Sequence, residues 1–330
     1  MNAARSDGEF GTQYSPSSTV SESAAVTRVA VAAHHHGLRL DAVAARLFTG
    51  YSRQRLKAWI EQGRLRVNGV VAMRPRQPVA AGDRLELRAP PPDLEPVSQA
   101  QQIDIQAVGG DEHLAVIDKP AGLTVHPGAG RPAGTLVNAL LHRYPQTAAL
   151  PRAGLIHRLD KDTSGLLVVA LNLPAYTRLT RMMAARAIHR EYDALVHGEV
   201  IAGGRIEAPI GRDSHSRVRM AVVARGRPAV THYRVVERFG GASWLRVRLE
   251  TGRTHQIRVH MAHIRHPLLG DPIYGGRRCA GADAGFKRQA LHARLLAFEH
   301  PITARKLAFE SPLPADLDAL IGKLRSAMHG

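Results

Sequence analysis

The sequence predicts an α+β fold in two parts, a small module of two helices and short strands followed by a larger mixed domain. Three observations carry this. Between residues 37 and 88, helical spacing of apolar residues gives way to short alternating strands. Residues 89–103 then interrupt the pattern with a stiff Pro-rich linker, Ala89-Pro90-Pro91-Pro92-Asp93, that has no core periodicity. Beyond it, strand-like and helix-like stretches mix without regular βαβ alternation.

Residues 1–34 are rich in Ser, Ala, Thr and Gly, show no clear period and read as a disordered tail. His34-His35-His36 reads as a solvated junction. In the module over residues 35–88, Leu38, Leu40, Val43 and Leu47 mark one face of a helix with Asp41 as candidate N-cap. Ser52 is expected to cap a second helix, with Leu56, Trp59 and Ile60 inward and Arg53, Arg55 and Lys57 outward. Gly63 is a natural stop. Leu65 to Val71 reads as a strand with a turn at Asn68-Gly69, and Ala81 to Leu87 closes the unit as an alternating strand.

The larger domain, about residues 104–325, opens with a strand at Leu114 to Ile117. Helices are expected over 136–144 and 174–187, the latter with Pro174 in its first turn. Leu166 to Ala170 is an apolar run bounded by Gly165, the mark of a buried strand. Trp244 to Glu250 alternates as a half-buried strand does. Gly128-Ala129-Gly130 does not sit between a strand and a helix in dinucleotide-binding fashion, so it reads as a loop and no nucleotide cofactor is expected.

Composition excludes several classes. Lys and Arg total 45 against 28 Asp and Glu, a formal net charge of +17. The cations are mostly Arg, which favours a polyanionic partner, because each phosphate neutralised releases condensed counterions. The single cysteine, Cys279, excludes a disulfide framework and a thiolate-rich zinc site. No apolar run approaches the ~20 residues of a membrane span, and the N-terminus lacks a signal-peptide pattern. The default expectation is a cytoplasmic monomer.

Four segments carry the polar chemistry. They are Lys119 to Pro127, Gly154 to Gly165, Arg190 to Val196 and Gly252 to Ala262. The second places Asp160 and Asp162 in a short charged stretch clamped to a buried strand, a rigid seat for a catalytic group. Residue reading alone does not choose between the two carboxylates. In the fourth, Ile257, Met261 and Ile264 share a helical face, and Arg258 lies about 100° away, free to reach a cleft. A cation there can hold a carboxylate ionised. His255, His260, His263 and His266 lack the Cys or carboxylate that would complete a metal-ligand spacing, so phosphate contact or helix capping is expected and no metal.

In this order the four segments resemble the RluA/RluD family of pseudouridine synthases. The signature His157-Arg158-Leu159-Asp160 with Thr163-Ser164-Gly165 is highly specific, and the front module resembles an S4 RNA-binding domain. Val125 to Gly130, Asn138 to His142, Pro228 to Tyr233 and His260 to Ile264 favour the branch that acts on the large ribosomal subunit. The resemblance implies a central, mostly antiparallel mixed sheet flanked by helices. It implies isomerisation of uridine in 23S RNA, in the stem-loop called helix 69, with no cofactor. It implies Asp160 as catalytic residue and Arg258 as the partner keeping it ionised and oriented. Tyr192 would pack on the uracil and help remove its C5 proton, and Arg158 would fill the space of the flipped base. Ile257 would line the base pocket. His157, His255, Arg253 and Lys119 join the RNA-facing set, although the Lys119-Pro120 motif is more structural than chemical. Arg53, Arg55 and Lys57 would meet the RNA backbone. A synthase for transfer RNA or another ribosomal site, a non-catalytic assembly factor and a metal-dependent nuclease stand as alternatives. Whether the carboxylate attacks the ribose or acts as base at C2′ stays open.

Overall fold

The computed structural model describes residues 26–48, 51, 53–88, 99–128, 131–214, 216, 218–276 and 285–329. The chain divides into two compact units, 1–96 and 97–330. The expectations on Ser52 and Cys279 fall outside the described residues, as does the side chain of Arg55.

The first unit runs β1 (Val26–Ala30), α1 (Leu40–Leu47), α2 (Arg53–Glu61), β2 (Leu65–Val67), β3 (Val70–Val71) and β4 (Arg84–Arg88). Its sheet has the order β1-β4-β2-β3, every pair antiparallel. Leu40, Val43, Leu56, Ile60, Leu65, Leu85 and neighbours form its core. Asn68 and Gly69 both take positive φ, 51° and 82°, as the expected tight hairpin requires.

Three expectations are corrected here. The tail is ordered from Val26, because β1 pairs along its whole length with β4. Asp41 does not cap α1 but lies buried in its first turn, bridged by Arg39 and Arg53. His35 is buried, so the histidine run is not wholly solvated.

The second unit is built on β5 (Gln106–Gly110), β6 (Leu114–Lys119), α3 (Leu136–Arg143), β7 (Ser164–Ala170), α4 (Leu173–Ala184) and β8 (His189–His197). It continues with β9 (Gly204–Glu207), β10 (Ile210–Arg212), β11 (Met220–Val222), β12 (Val230–Arg238) and β13 (Ala242–Leu249). It ends with α5 (Gln256–His263), β14 (Leu291–Glu299), β15 (Lys306–Glu310) and α6 (Ala315–His329). The main sheet has the order β5-β6-β7-β14-β8-β13-β12-β9, with β15 added on β14. The β7–β14 pair is parallel and the other neighbours in this sheet are antiparallel. The expected mixed, mostly antiparallel sheet is therefore present.

Strand alternation divides the core between two faces. Ile117, Leu167, Val169 and Tyr192 join α3 and α5 on one face. Val116, Leu166 and Val168 meet α4 on the other, where Leu195 also packs with α6. Asn172 caps α4 by accepting from Ala175 N–H, and the helix stops at Ala184, three residues short of the expected end. The end of the Pro-rich linker belongs to this unit. Asn138 donates to the Gln99 carbonyl at 2.8 Å, and Gly134 N–H donates to the Gln101 side chain at 2.8 Å.

Candidate active site

Asp160 lies in the loop entering β7, on the sheet face that carries α3 and α5. The loop is held by its own backbone carbonyls. Lys161 O accepts from Gly122 N–H at 3.0 Å and from Lys119 Nζ at 2.9 Å. Asp162 O accepts from Arg288 Nη1 at 3.1 Å, and buried Thr163 accepts from Gln289 Nε2 at 3.1 Å. Leu159, behind the carboxylate, is buried in the core.

Arg258 chooses between the two carboxylates. Its Nη1 donates to Asp160 Oδ2 at 3.0 Å. Its Nε and Nη2 form a fork on Asp271, at 2.7 and 2.8 Å. Asp271 is wholly buried and also accepts from the backbone N–H of Ile273 and Tyr274. Burial alone would drive the guanidinium toward losing its proton, but the bonds and charge of Asp271, and then Asp160, hold it protonated above its ordinary range. Asp160 Oδ1 faces His255, whose Nε2 is 3.9 Å away.

His255 sits at the N-cap of α5 in a left-handed conformation, φ 56°. Tyr274 Oη accepts from Met220 N–H at 2.9 Å and lies 2.8 Å from His255 Nδ1. Burial holds this imidazole below its usual pKa range, against the pull of Asp160.

Tyr192 is buried on β8, between Val247 of β13 and Ala293 of β14. Burial, aided by the charge of Asp160 and opposed by Arg190, raises its phenol pKa. That keeps the hydroxyl protonated and weighs against a phenolate base at neutral pH. Ile257 is buried in the same apolar cluster. Arg158 is exposed, and its charge reaches both His126 and His255.

Two expected RNA-facing residues, Lys119 and His157, are turned inward. Lys119 is completely buried and gives all three ammonium protons to the carbonyls of Pro120, Leu123 and Lys161. Burial lowers its pKa to about 7, against the attraction of Asp162 and Asp160. It braces the Asp160 loop from inside, away from the surface. His157 Nε2 accepts from Val168 N–H at 3.2 Å, and burial followed by the charge of Arg190 lowers its pKa to about 3. Arg253 Nε donates to Pro228 O at 3.0 Å. In the first unit, Arg53 is engaged with Asp41 at 3.1 Å, while Lys57 is exposed beside Glu61 at 3.6 Å.

Asp271 and Tyr274 were not among the sequence candidates. The turn signal Gly270-Asp271-Pro272 after Leu268-Leu269 was the available clue, but a turn gives no sign that its carboxylate faces inward. Among the described residues, no group of three or more His, Cys, Asp or Glu is placed to hold a metal ion.

The family model for RNA pseudouridylate synthase matches residues 113–263, and the S4 domain model matches residues 38–85. Ribosomal large subunit pseudouridine synthase D of Vibrio parahaemolyticus is 51% identical over 298 residues, covering 88% of this chain and 91% of that protein. The chain belongs to the RNA pseudouridylate synthase family. The synthase D proteins of Pseudomonas aeruginosa and Escherichia coli K12 are 52% and 48% identical, with 88% of this chain covered in both cases and 92% and 91% of theirs. Human RNA Pseudouridylate Synthase Domain Containing 1 superposes with a TM-score of 0.53 at 27% identity, covering 69% of this chain and 97% of that one. In this pseudouridylate synthase the Asp160 loop and α5 both lie within the matched region, whereas Asp271 and Tyr274 fall just beyond it.

Proposed function

We propose that this synthase isomerises uridines of large-subunit ribosomal RNA, in the helix 69 stem-loop, with Asp160 as the catalytic carboxylate. The observation that carries the reading is the Asp160–Arg258–Asp271 clamp. One oxygen of Asp160 is fixed by a buried cation while the other is left for chemistry. The relatives named for the large ribosomal subunit support the choice of RNA.

The uridine leaves its stack, at a cost of a few kcal/mol, and exposed Arg158 fills the gap. Asp160 Oδ1 then acts at C1′ as nucleophile or at C2′ as base. The N1–C1′ bond breaks, the uracil turns over Tyr192, and C5 joins C1′. The C5 proton is lost and N1 gains one, so the reaction needs no redox partner and no hydrolytic water. Enclosure by Tyr192 and Ile257 retains the detached base. The S4-like unit adds a tethered RNA contact that raises local concentration. A cytoplasmic monomer free of metal fits this reading.

The test is tritium release from uracil C5 in a helix 69 fragment and in transfer RNA, with chelator present. Wild type releases tritium from the ribosomal fragment, and Asp160→Asn binds the RNA without releasing any. Preference for transfer RNA would overturn the choice of substrate, and equal release by Asp160→Asn would overturn the role of Asp160.

A further inference from the structure

Arg190 is a buried cation that the mechanism above leaves unused. It stands on β8 two residues before Tyr192, and the pleat sends both side chains to the same face. The side chain is 6% exposed, and its Nε is enclosed without an acceptor. Among the described residues it makes no ion pair. The carboxylates on either side of Tyr192 point to the opposite face and are already engaged: Asp193 with Trp244 and Arg246, Glu191 with Arg246 and Arg294. An unpaired buried charge is costly, and a side chain kept so needs an anion from elsewhere.

The opening toward Arg190 lies at Gly252. This glycine is exposed, and a Cβ built on it would stand 2.8 Å from Arg190 Nη1. The missing side chain leaves that guanidinium edge approachable. Arg186, Arg227 and Arg253 continue the positive surface, close enough that the first two depress the third beyond the effect of its burial. Glu250 partly balances them, and it is shared between Arg186 and His232.

We propose that Arg190 anchors the RNA phosphate next to the flipped uridine, with the phosphate entering over Gly252. A planar guanidinium suits two phosphate oxygens at once. The site would set the ribose of the reacting nucleotide relative to Asp160 through its phosphate, and the neighbouring arginines would track the backbone onward. This rests on the reading of the chain as an RNA synthase.

The experiment measures RNA affinity and tritium release for wild type, Arg190→Met and Gly252→Ala. The RNA is the helix 69 fragment, with each phosphate flanking the converted uridine replaced singly by a neutral methylphosphonate. Arg190→Met is expected to bind roughly ten- to a hundredfold more weakly, the range for a charge-assisted contact. Its thermal midpoint should not fall, since Met removes an unpaired buried charge. Gly252→Ala, on a backbone that alanine adopts, should weaken binding in the same direction by displacing the guanidinium end. At one phosphate, methylphosphonate should weaken wild type by a similar factor and Arg190→Met not at all. Unchanged affinity of Arg190→Met, or an undiminished methylphosphonate penalty in it at both positions, overturns the proposal. Wild type that binds but releases no tritium refutes the synthase reading instead, while the affinity comparison still decides Arg190.

Discussion

The proposed role of Asp160 rests on one of its oxygens being immobilised and the other not. Arg258 does the immobilising, and it can do so only because Asp271 fixes the far side of the guanidinium. Asp271→Ala leaves Arg258 buried with too little negative charge, at a cost of about 3–5 kcal/mol. Urea unfolding should show that loss, and kcat for C5 proton release should fall at least tenfold even in the folded fraction. Lys119 gives a contrasting prediction. Lys119→Met removes the donor shared by the carbonyls of Pro120, Leu123 and Lys161, of which Lys161 O keeps Gly122 N–H, and each bond to the ammonium is worth about 1.5–3 kcal/mol. Stability and kcat should drop, while the salt dependence of RNA binding stays as in wild type, because this ammonium meets no phosphate. A reduced salt slope would return Lys119 to the RNA surface.

At the scale of elements, the Asp160 loop depends on how closely β7 meets β14. Gly165 lies at φ +109°, and a Cβ there would be 2.3 Å from the Ala293 carbonyl. Gly165→Ala is therefore expected to cost more than about 4 kcal/mol, read as loss of soluble protein or a large fall in thermal midpoint. His157 ties the same loop to β7 as a neutral acceptor. Its folded pKa, about 3, lies below the unfolded value of 6.5. The unfolded state binds more protons between those values, so stability is full above pH 6.5 and declines as pH falls. The decline should reach about 2 kcal/mol by pH 5, and His157→Gln should flatten it in pH-dependent unfolding. The strands β6, β7 and β13 were legible because burial on one or both faces writes a run or an alternation into the sequence. β1 was not legible. It is an edge strand with mostly exposed side chains, and its pairing is by backbone, which any sequence can supply.

For the whole molecule, the charge of +17 sets the expectation that RNA affinity falls steeply with salt. Lys57, exposed on α2 with only a loose partner in Glu61, is a first-unit cation placed to contribute. Lys57→Ala should lower the slope of log affinity against log salt by about one, with kcat at saturating RNA unchanged. An unchanged slope would remove α2 from the RNA interface.

By itself the sequence determined the α+β class, the two-part organisation, the strand that carries the Asp160 loop and the motifs that mark the family. These follow from periodicity, turn chemistry and residue type, all local quantities. Tertiary structure decided which carboxylate Arg258 holds, that Asp271 stands behind it, that Lys119 and His157 face inward, and that Arg190 is buried without a counterion among the described residues. Those facts depend on groups brought together across long stretches of chain, Asp160 and Arg258 being 98 residues apart. Charge pairing and desolvation act through space, and a pattern read along the chain does not contain the distances they require.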